Sequence, residues 1–136
     1  MCTCIDFKTT DNYFGRNLDL EYRFNEKVVI TPRGYECKLN NGNVINTKSA
    51  LIGMATVVND YPLYAEASNE SGLSMAGLYF PGNAKFFEPD ASKLNLSPYE
   101  LIPYLLGLYS TVSEVRGVFD NLNITNTAFM LSLIHI

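Results

Sequence analysis

Short β-type segments crowd residues 2–80, and this density of strands is what most limits the folds open to the chain. Residues 2–7 alternate, with Cys2, Cys4 and Asp6 on one face and Thr3, Ile5 and Phe7 on the other. Thr9-Thr10-Asp11-Asn12 is a polar turn, and residues 13–18 read as the return strand of a hairpin. A third strand over residues 27–31 stops at Pro32. Residues 38–49 are polar, with a turn signal at Asn40-Asn41-Gly42. Residues 50–58 are apolar and β-branched, which predicts a buried strand. Residues 64–68 and 73–80 form a further pair across the hairpin loop Asn69-Glu70-Ser71-Gly72.

Helix signals come only after the strands. Ser97-Pro98-Tyr99-Glu100 supplies an N-cap serine, a proline at the first helical position and a capping-box glutamate. Leu101, Ile102, Leu105, Leu106 and Leu108 give that helix a wide apolar face, and Pro103 predicts an irregular start. A second helix begins at residues 110–114, with Val115, Val118, Phe119 and Leu122 inward, and Asn121-Leu122-Asn123 closes it. Strands followed by an αα pair make the fold class α+β.

Composition removes several functions. With 136 residues, 47% hydrophobic and 18% charged, the chain is globular rather than disordered. Lys and Arg number 10 against 14 Asp and Glu, so the net charge of −4 offers nucleic acid no basic field. The single histidine, His135, excludes chemistry based on an internal His and any multi-His metal site. No stretch approaches the length of a membrane span, and residues 1–6 lack the features of a signal peptide. A cytoplasmic protein without a disulfide framework is expected. The sequons at Asn69, Asn95 and Asn123 are then chance matches.

Cys2 follows the initiator methionine. Removal of Met1 would place a thiol and a free α-amine on one residue. An α-amine titrates at about 7.7–8.0, so it can serve as a base near neutrality. Nucleophile and general base would then share a residue, and no histidine is needed. The competing reading makes Cys2 and Cys4 small core residues of one strand face. A metal site of Cys2, Cys4 and Cys37 lacks a fourth ligand. Arg16 and Asp19 shift the balance, because they lie on the strand that should pair with the Cys2 strand. A guanidinium near the sulfur favours thiolate, and a carboxylate can orient the amine. Alone, the two would be a surface ion pair.

Met1-Cys2-Thr3, Phe14-Gly15-Arg16-Asn17-Leu18-Asp19, Ile30-Thr31-Pro32-Arg33, Asp60-Tyr61-Pro62-Leu63-Tyr64, the stretch from Asn69 to Leu78 and Ser97-Pro98-Tyr99-Glu100 resemble, in order and spacing, the choloylglycine hydrolase family. That family holds the conjugated bile salt hydrolases and penicillin V acylases. The resemblance implies an N-terminal-nucleophile hydrolase αββα sandwich that cleaves a linear amide through a thioester acyl-enzyme, without metal or organic cofactor. Carried over by position, Cys2 is the nucleophile, Arg16 the arginine beside its sulfur and Asp19 the aspartate holding the α-amine. Tyr79 gives a backbone N–H to the oxyanion hole, a role that any residue but proline can fill. Its side chain departs from the Asn usual in bile salt hydrolases and matches penicillin V acylases. Leu20, Tyr22, Phe24 and Tyr61 fall where family members build an apolar substrate mouth.

The resemblance runs from Met1 to about Asn123, and the family domain is more than twice this length. The chain is therefore expected to be the N-terminal portion of one domain, with residues 131–136 as a non-native tail, and to expose an apolar sheet face. The expected substrate of the complete enzyme is a glycine or taurine conjugate of a bile acid, with penicillin V or another N-acyl amide as the alternative. The resemblance implies a homo-oligomer, a tetramer, for the full-length parent; charge and hydropathy give the expectation of no nucleic-acid or membrane partner. A different class of reading is a truncated structural fragment without chemistry.

Overall fold

The computed structural model describes residues 2–19, 23–78 and 82–127. The expectations for Leu20, Tyr22, Tyr79 and the tail from residue 131 fall outside these residues. A hairpin comes first, β1 (Thr3–Lys8) and β2 (Asn12–Asn17), antiparallel with Cys4 opposite Arg16 and Phe7 opposite Tyr13. The polar turn at residues 9–11 closes it as the sequence predicts.

A four-stranded antiparallel sheet forms the centre, in the order β3 (Lys27–Thr31), β6 (Leu51–Val58), β7 (Tyr61–Asn69), β8 (Ser74–Ala76). Between β6 and β7, Asn59 and Asp60 both take positive φ (50° and 62°), as the tightest hairpin turn requires. β7 starts earlier than its sequence pattern predicts, because Pro62 sits inside it. Among the described residues β8 pairs only with residues 66–68, and no described strand flanks Pro62 on that side. β4 (Glu36–Lys38) and β5 (Val44–Asn46) form a small hairpin around Gly42, whose φ is +86°. The sequence showed only a polar turn there.

A single 3-10 turn (Pro98–Glu100) leads into α1 (Leu101–Leu108). Glu100 closes the predicted cap by accepting from the Ser97 N–H at 2.6 Å. Ile102 and Leu106 of α1 pack on Leu51, Ala55, Tyr64 and Ala67, and these six are the main core. Burying Leu51, Ile102 or Leu106 stabilises by about 1.5–3 kcal/mol each. A second cluster joins Cys37, Leu39 and Leu96, flanked by Tyr35, Ile45, Tyr61 and Leu101.

α2 (Val112–Phe119) carries a complete capping box between Thr111 and Glu114. Of its expected inner face, Val115, Val118 and Leu122 are half-buried, and Leu122 packs on the second cluster. Phe119 is the correction: it is 52% exposed, and no residue of α2 is fully buried. Residues 121–123 also do more than close the helix, because β10 (Leu122–Ile124) pairs in parallel with β9 (Leu94–Leu96).

The sequon asparagines are occupied structurally. Asn69 Nδ2 donates to the Leu106 and Tyr109 carbonyls at the end of α1, while its Oδ1 accepts from the Ser71 and Leu73 N–H groups. Asn123 donates to Asn95 Oδ1 and to the Glu88 carbonyl.

The face of the central sheet turned away from α1 is largely open. Val28 and Ile30 are 73% and 69% exposed, and Ile52, opposite Ile30, is 51% exposed. Within residues 50–58, Leu51 and Ala55 are buried towards α1, while Met54 on the other face is half-buried.

Candidate active site

The β1–β2 register sets the geometry. Arg16 lies directly opposite Cys4, so Cys2, two residues earlier on the same face, is one diagonal step from it. Long side chains bridge such diagonals. Cys2 is half-buried, and its thiol donates to the backbone carbonyl of Asp19 at 3.8 Å. The adjacent Thr3 N–H donates to Asn17 Oδ1 at 2.5 Å and pins the start of the strand. Asp19 itself is exposed.

Arg16 is the buried charge of this region, with a side chain only 3% exposed. Its Nη2 donates to the Gly77 carbonyl at 2.5 Å, and its Nε lies 3.6 Å from Glu66 Oε2. Among the described residues, Nε and Nη1 have no hydrogen-bond partner. A buried guanidinium with free N–H groups needs an anionic neighbour.

A β-bulge delivers that neighbour. Met54 pairs with Glu66 and Ala55 with Tyr64, so Ala65 is the extra residue on β7. Its carbonyl accepts from the Gly77 N–H at 2.8 Å. Bulges of this kind re-aim the next side chain. Glu66 falls in a cross-strand row with Val28, Met54 and Ala76, on the face opposite α1, and its Oε1 accepts from the Met54 N–H at 3.2 Å. Sequence reading missed Glu66 and Gly77. The available signal was a lone charge within the apolar run at residues 62–67.

Cys2, Arg16 and Asp19 are thus assembled at one end of the hairpin. Of the residues expected at a substrate mouth, Phe24 and Tyr61 fall among the described residues. Tyr61 packs edge-on against Tyr99, with ring centres 5.8 Å apart, and its hydroxyl accepts from the Cys37 thiol at 3.5 Å. Burial pushes both the Tyr61 phenol and the Cys37 thiol up, which keeps them neutral and suits a core role. Phe24 is half-buried, and its carbonyl accepts from the Thr56 hydroxyl at 2.8 Å. Tyr79 follows two residues after Gly77, the carbonyl that Arg16 grips.

No helix among the described residues is long and apolar enough to cross a membrane. Among the same residues, no three His, Cys, Asp or Glu side chains are grouped to hold a metal ion.

Comparison with known proteins agrees with the geometry. The sequence model of the linear amide C–N hydrolases, choloylglycine hydrolase family, matches residues 2–135. A bile salt hydrolase/transferase of Lactiplantibacillus plantarum is 46% identical over 129 residues, 95% of this chain and 40% of its own length. A conjugated bile acid hydrolase of Lactobacillus gasseri is 41% identical over 94% of this chain and 42% of its own. A crystal structure of a mutant conjugated bile acid hydrolase from Clostridium perfringens superposes with a TM-score of 0.86 at 37% identity, covering 93% of this chain and 40% of that one. The chain thus spans about two-fifths of the length of the curated relatives it matches. Its fold is the corresponding part of the N-terminal-nucleophile hydrolase architecture, and the chain belongs to the choloylglycine hydrolase family.

Proposed function

We propose that the chain carries the nucleophile of an amidohydrolase acting on bile acids conjugated to glycine or taurine. The observation that carries this reading is the hairpin register, which sets the Arg16 strand beside Cys2. Relatives named bile salt hydrolase/transferase and conjugated bile acid hydrolase support the substrate class.

In this reading, loss of Met1 frees the Cys2 α-amine. The amine takes the thiol proton as Sγ attacks the amide carbonyl, and the oxyanion is met by the Tyr79 backbone N–H. The amine passes the proton to the leaving nitrogen, so glycine or taurine departs and a thioester remains. Water then attacks the thioester, giving up a proton to the amine. The C–S bond breaks, the free bile acid leaves, and the thiol is restored. Arg16 steadies the sulfur anion, and Asp19 orients the amine.

Intact mass first establishes whether Met1 is removed. Cleavage of glycocholate, taurocholate and penicillin V is then measured on the chain alone and on the chain joined to the remaining part of a relative's domain. We expect bile salt cleavage in the joined protein, faster than that of penicillin V, and none after Cys2→Ala. Hydrolysis that persists in Cys2→Ala rejects the mechanism, and faster penicillin V cleavage rejects the substrate class.

A second reading, a chain that is inert by itself, draws on the uncovered apolar groups of β3, β6 and α2. Retained Met1 and no turnover by the isolated chain would favour it.

A further inference from the structure

We infer that Glu66 is a positioning residue, whose carboxylate holds the buried Arg16 guanidinium on the Cys2 face of the β1–β2 hairpin. This rests on the reading of Cys2 as nucleophile and Arg16 as the cation beside it.

The argument starts from burial. The Arg16 side chain is 3% exposed and Glu66 22% exposed, so the pair is shielded from water far better than a surface bridge. At 3.6 Å the contact is ionic rather than a hydrogen bond, since Arg16 Nε has no hydrogen-bond partner among the described residues. Charge is then what Glu66 supplies. The second contact of Arg16, the Gly77 carbonyl, is neutral and cannot offset a buried cation.

The placement of Glu66 is itself fixed. The Ala65 bulge orients it, and the Met54 N–H holds Oε1, leaving Oε2 for Arg16. The guanidinium is braced on one side by Glu66 and on another by Gly77. Its remaining N–H group, Nη1, is buried and has no hydrogen-bond partner among the described residues. A cation braced in this way is ordered before substrate arrives, which is the condition for useful electrostatic stabilisation.

The chain offers a direct readout in the alkylation of Cys2 by iodoacetamide at neutral pH, resolved peptide by peptide. Cys37, fully buried in the second cluster, serves as an internal gauge of folding, since it reacts only if the fold opens. Arg16→Met should slow Cys2 alkylation roughly tenfold, by removing the cation that favours thiolate. Glu66→Gln keeps size and shape but not charge, and should slow it roughly fivefold with Cys37 still protected. Glu66→Asp, which keeps the charge, should retain at least about half of the parent rate. In the Arg16→Met background, Glu66→Gln should change nothing further.

The competing outcome has the opposite sign. If Glu66 only screened a fixed guanidinium, its neutralisation would strengthen the field at the sulfur and speed alkylation. A faster or unchanged rate in Glu66→Gln overturns the inference, as does an equal drop in the Arg16→Met background. Exposure of Cys37 in Glu66→Gln would assign the residue to the fold and likewise overturn it. An unchanged rate in Arg16→Met would instead sink the underlying reading of Arg16 as the cation serving Cys2.

Discussion

The Arg16 guanidinium donates to the Gly77 carbonyl, which lies 61 residues further along the chain. This bond joins the β1–β2 hairpin to the end of β8. Removing it should loosen the β8 end before anything else. In Arg16→Met, exchange of the Gly77 amide, which donates to Ala65, should accelerate about tenfold, while amides of the β6–β7 ladder stay as in the parent. Unchanged Gly77 exchange would show that the bond carries no mechanical role.

Gly53 governs the same region from the other side of the sheet. A Cβ there would overlap the Glu66 carbonyl oxygen and lie 2.6 Å from the Ala67 Cα, both backbone atoms that cannot swing aside. Gly53→Ala must push β6 from β7 and displace Glu66 with it. We expect a loss of about 3 kcal/mol in urea unfolding, at the upper end for overpacking. A midpoint within error of the parent would contradict the close approach.

Much of this was readable in the sequence, and particular residues show why. The β1–β2 hairpin, β3 and the Ser97–Glu100 helix start are local patterns, each set by alternation, a turn or a cap within a few residues. Pairings between distant segments left no such trace. β9 and β10 are three residues each, too short for periodicity, and their parallel pairing joins residues 28 apart in sequence. The same limit applies to the site. Cys2, Arg16 and Asp19 share one hairpin and could be grouped by pairing alone. Glu66 and Gly77 reach Arg16 only through the bulge and the fold of the second sheet. Tyr61 is the first residue of β7, and its contacts with Cys37 and Tyr99 join segments that no local pattern links.

Glu100 is nearly fully buried, and both its oxygens accept backbone N–H groups, from Asn40 and from Ser97. It joins the β4–β5 turn to the start of α1. Glu100→Ala leaves two donors without acceptors. The expected cost is about 3 kcal/mol, given about 1–3 kcal/mol for each buried group left unpaired. Glu100→Gln, which keeps one acceptor, should lose about half as much. Equal stability of the parent and the alanine variant in urea would refute the assignment.

Acid should weaken a different contact. Glu70 receives a two-pronged hydrogen bond from Arg33 and another from the Ala50 N–H, which hold its carboxyl down at about 2. A folded-state value below the unfolded value of about 4.3 means the contact stabilises above that pH and is lost as pH falls towards about 2. The Tm difference between the parent and Glu70→Gln should therefore close as pH drops from about 5 to about 2. It should also narrow in high salt, because the pair is exposed. A difference that persists at the lowest pH would assign the contribution to something other than this charge pair.

The open face of the central sheet sets how the isolated chain behaves. Val28, Ile30 and Ile52 form a contiguous apolar surface across β3 and β6, with β3 an edge strand among the described residues. Such a surface on an edge favours association between copies. Val28→Thr with Ile30→Thr keeps β-branched residues in the strand while halving its apolar character. The two changes touch no core contact, so each should alter stability by no more than about 0.5 kcal/mol. Self-association should nevertheless fall, seen as a shift from large species to monomer in light scattering at equal concentration. If the double variant associates as strongly as the parent, the contacts run through another surface, and the exposed Ile5, Phe7 and Tyr13 of the β1–β2 hairpin become the next substitutions to make.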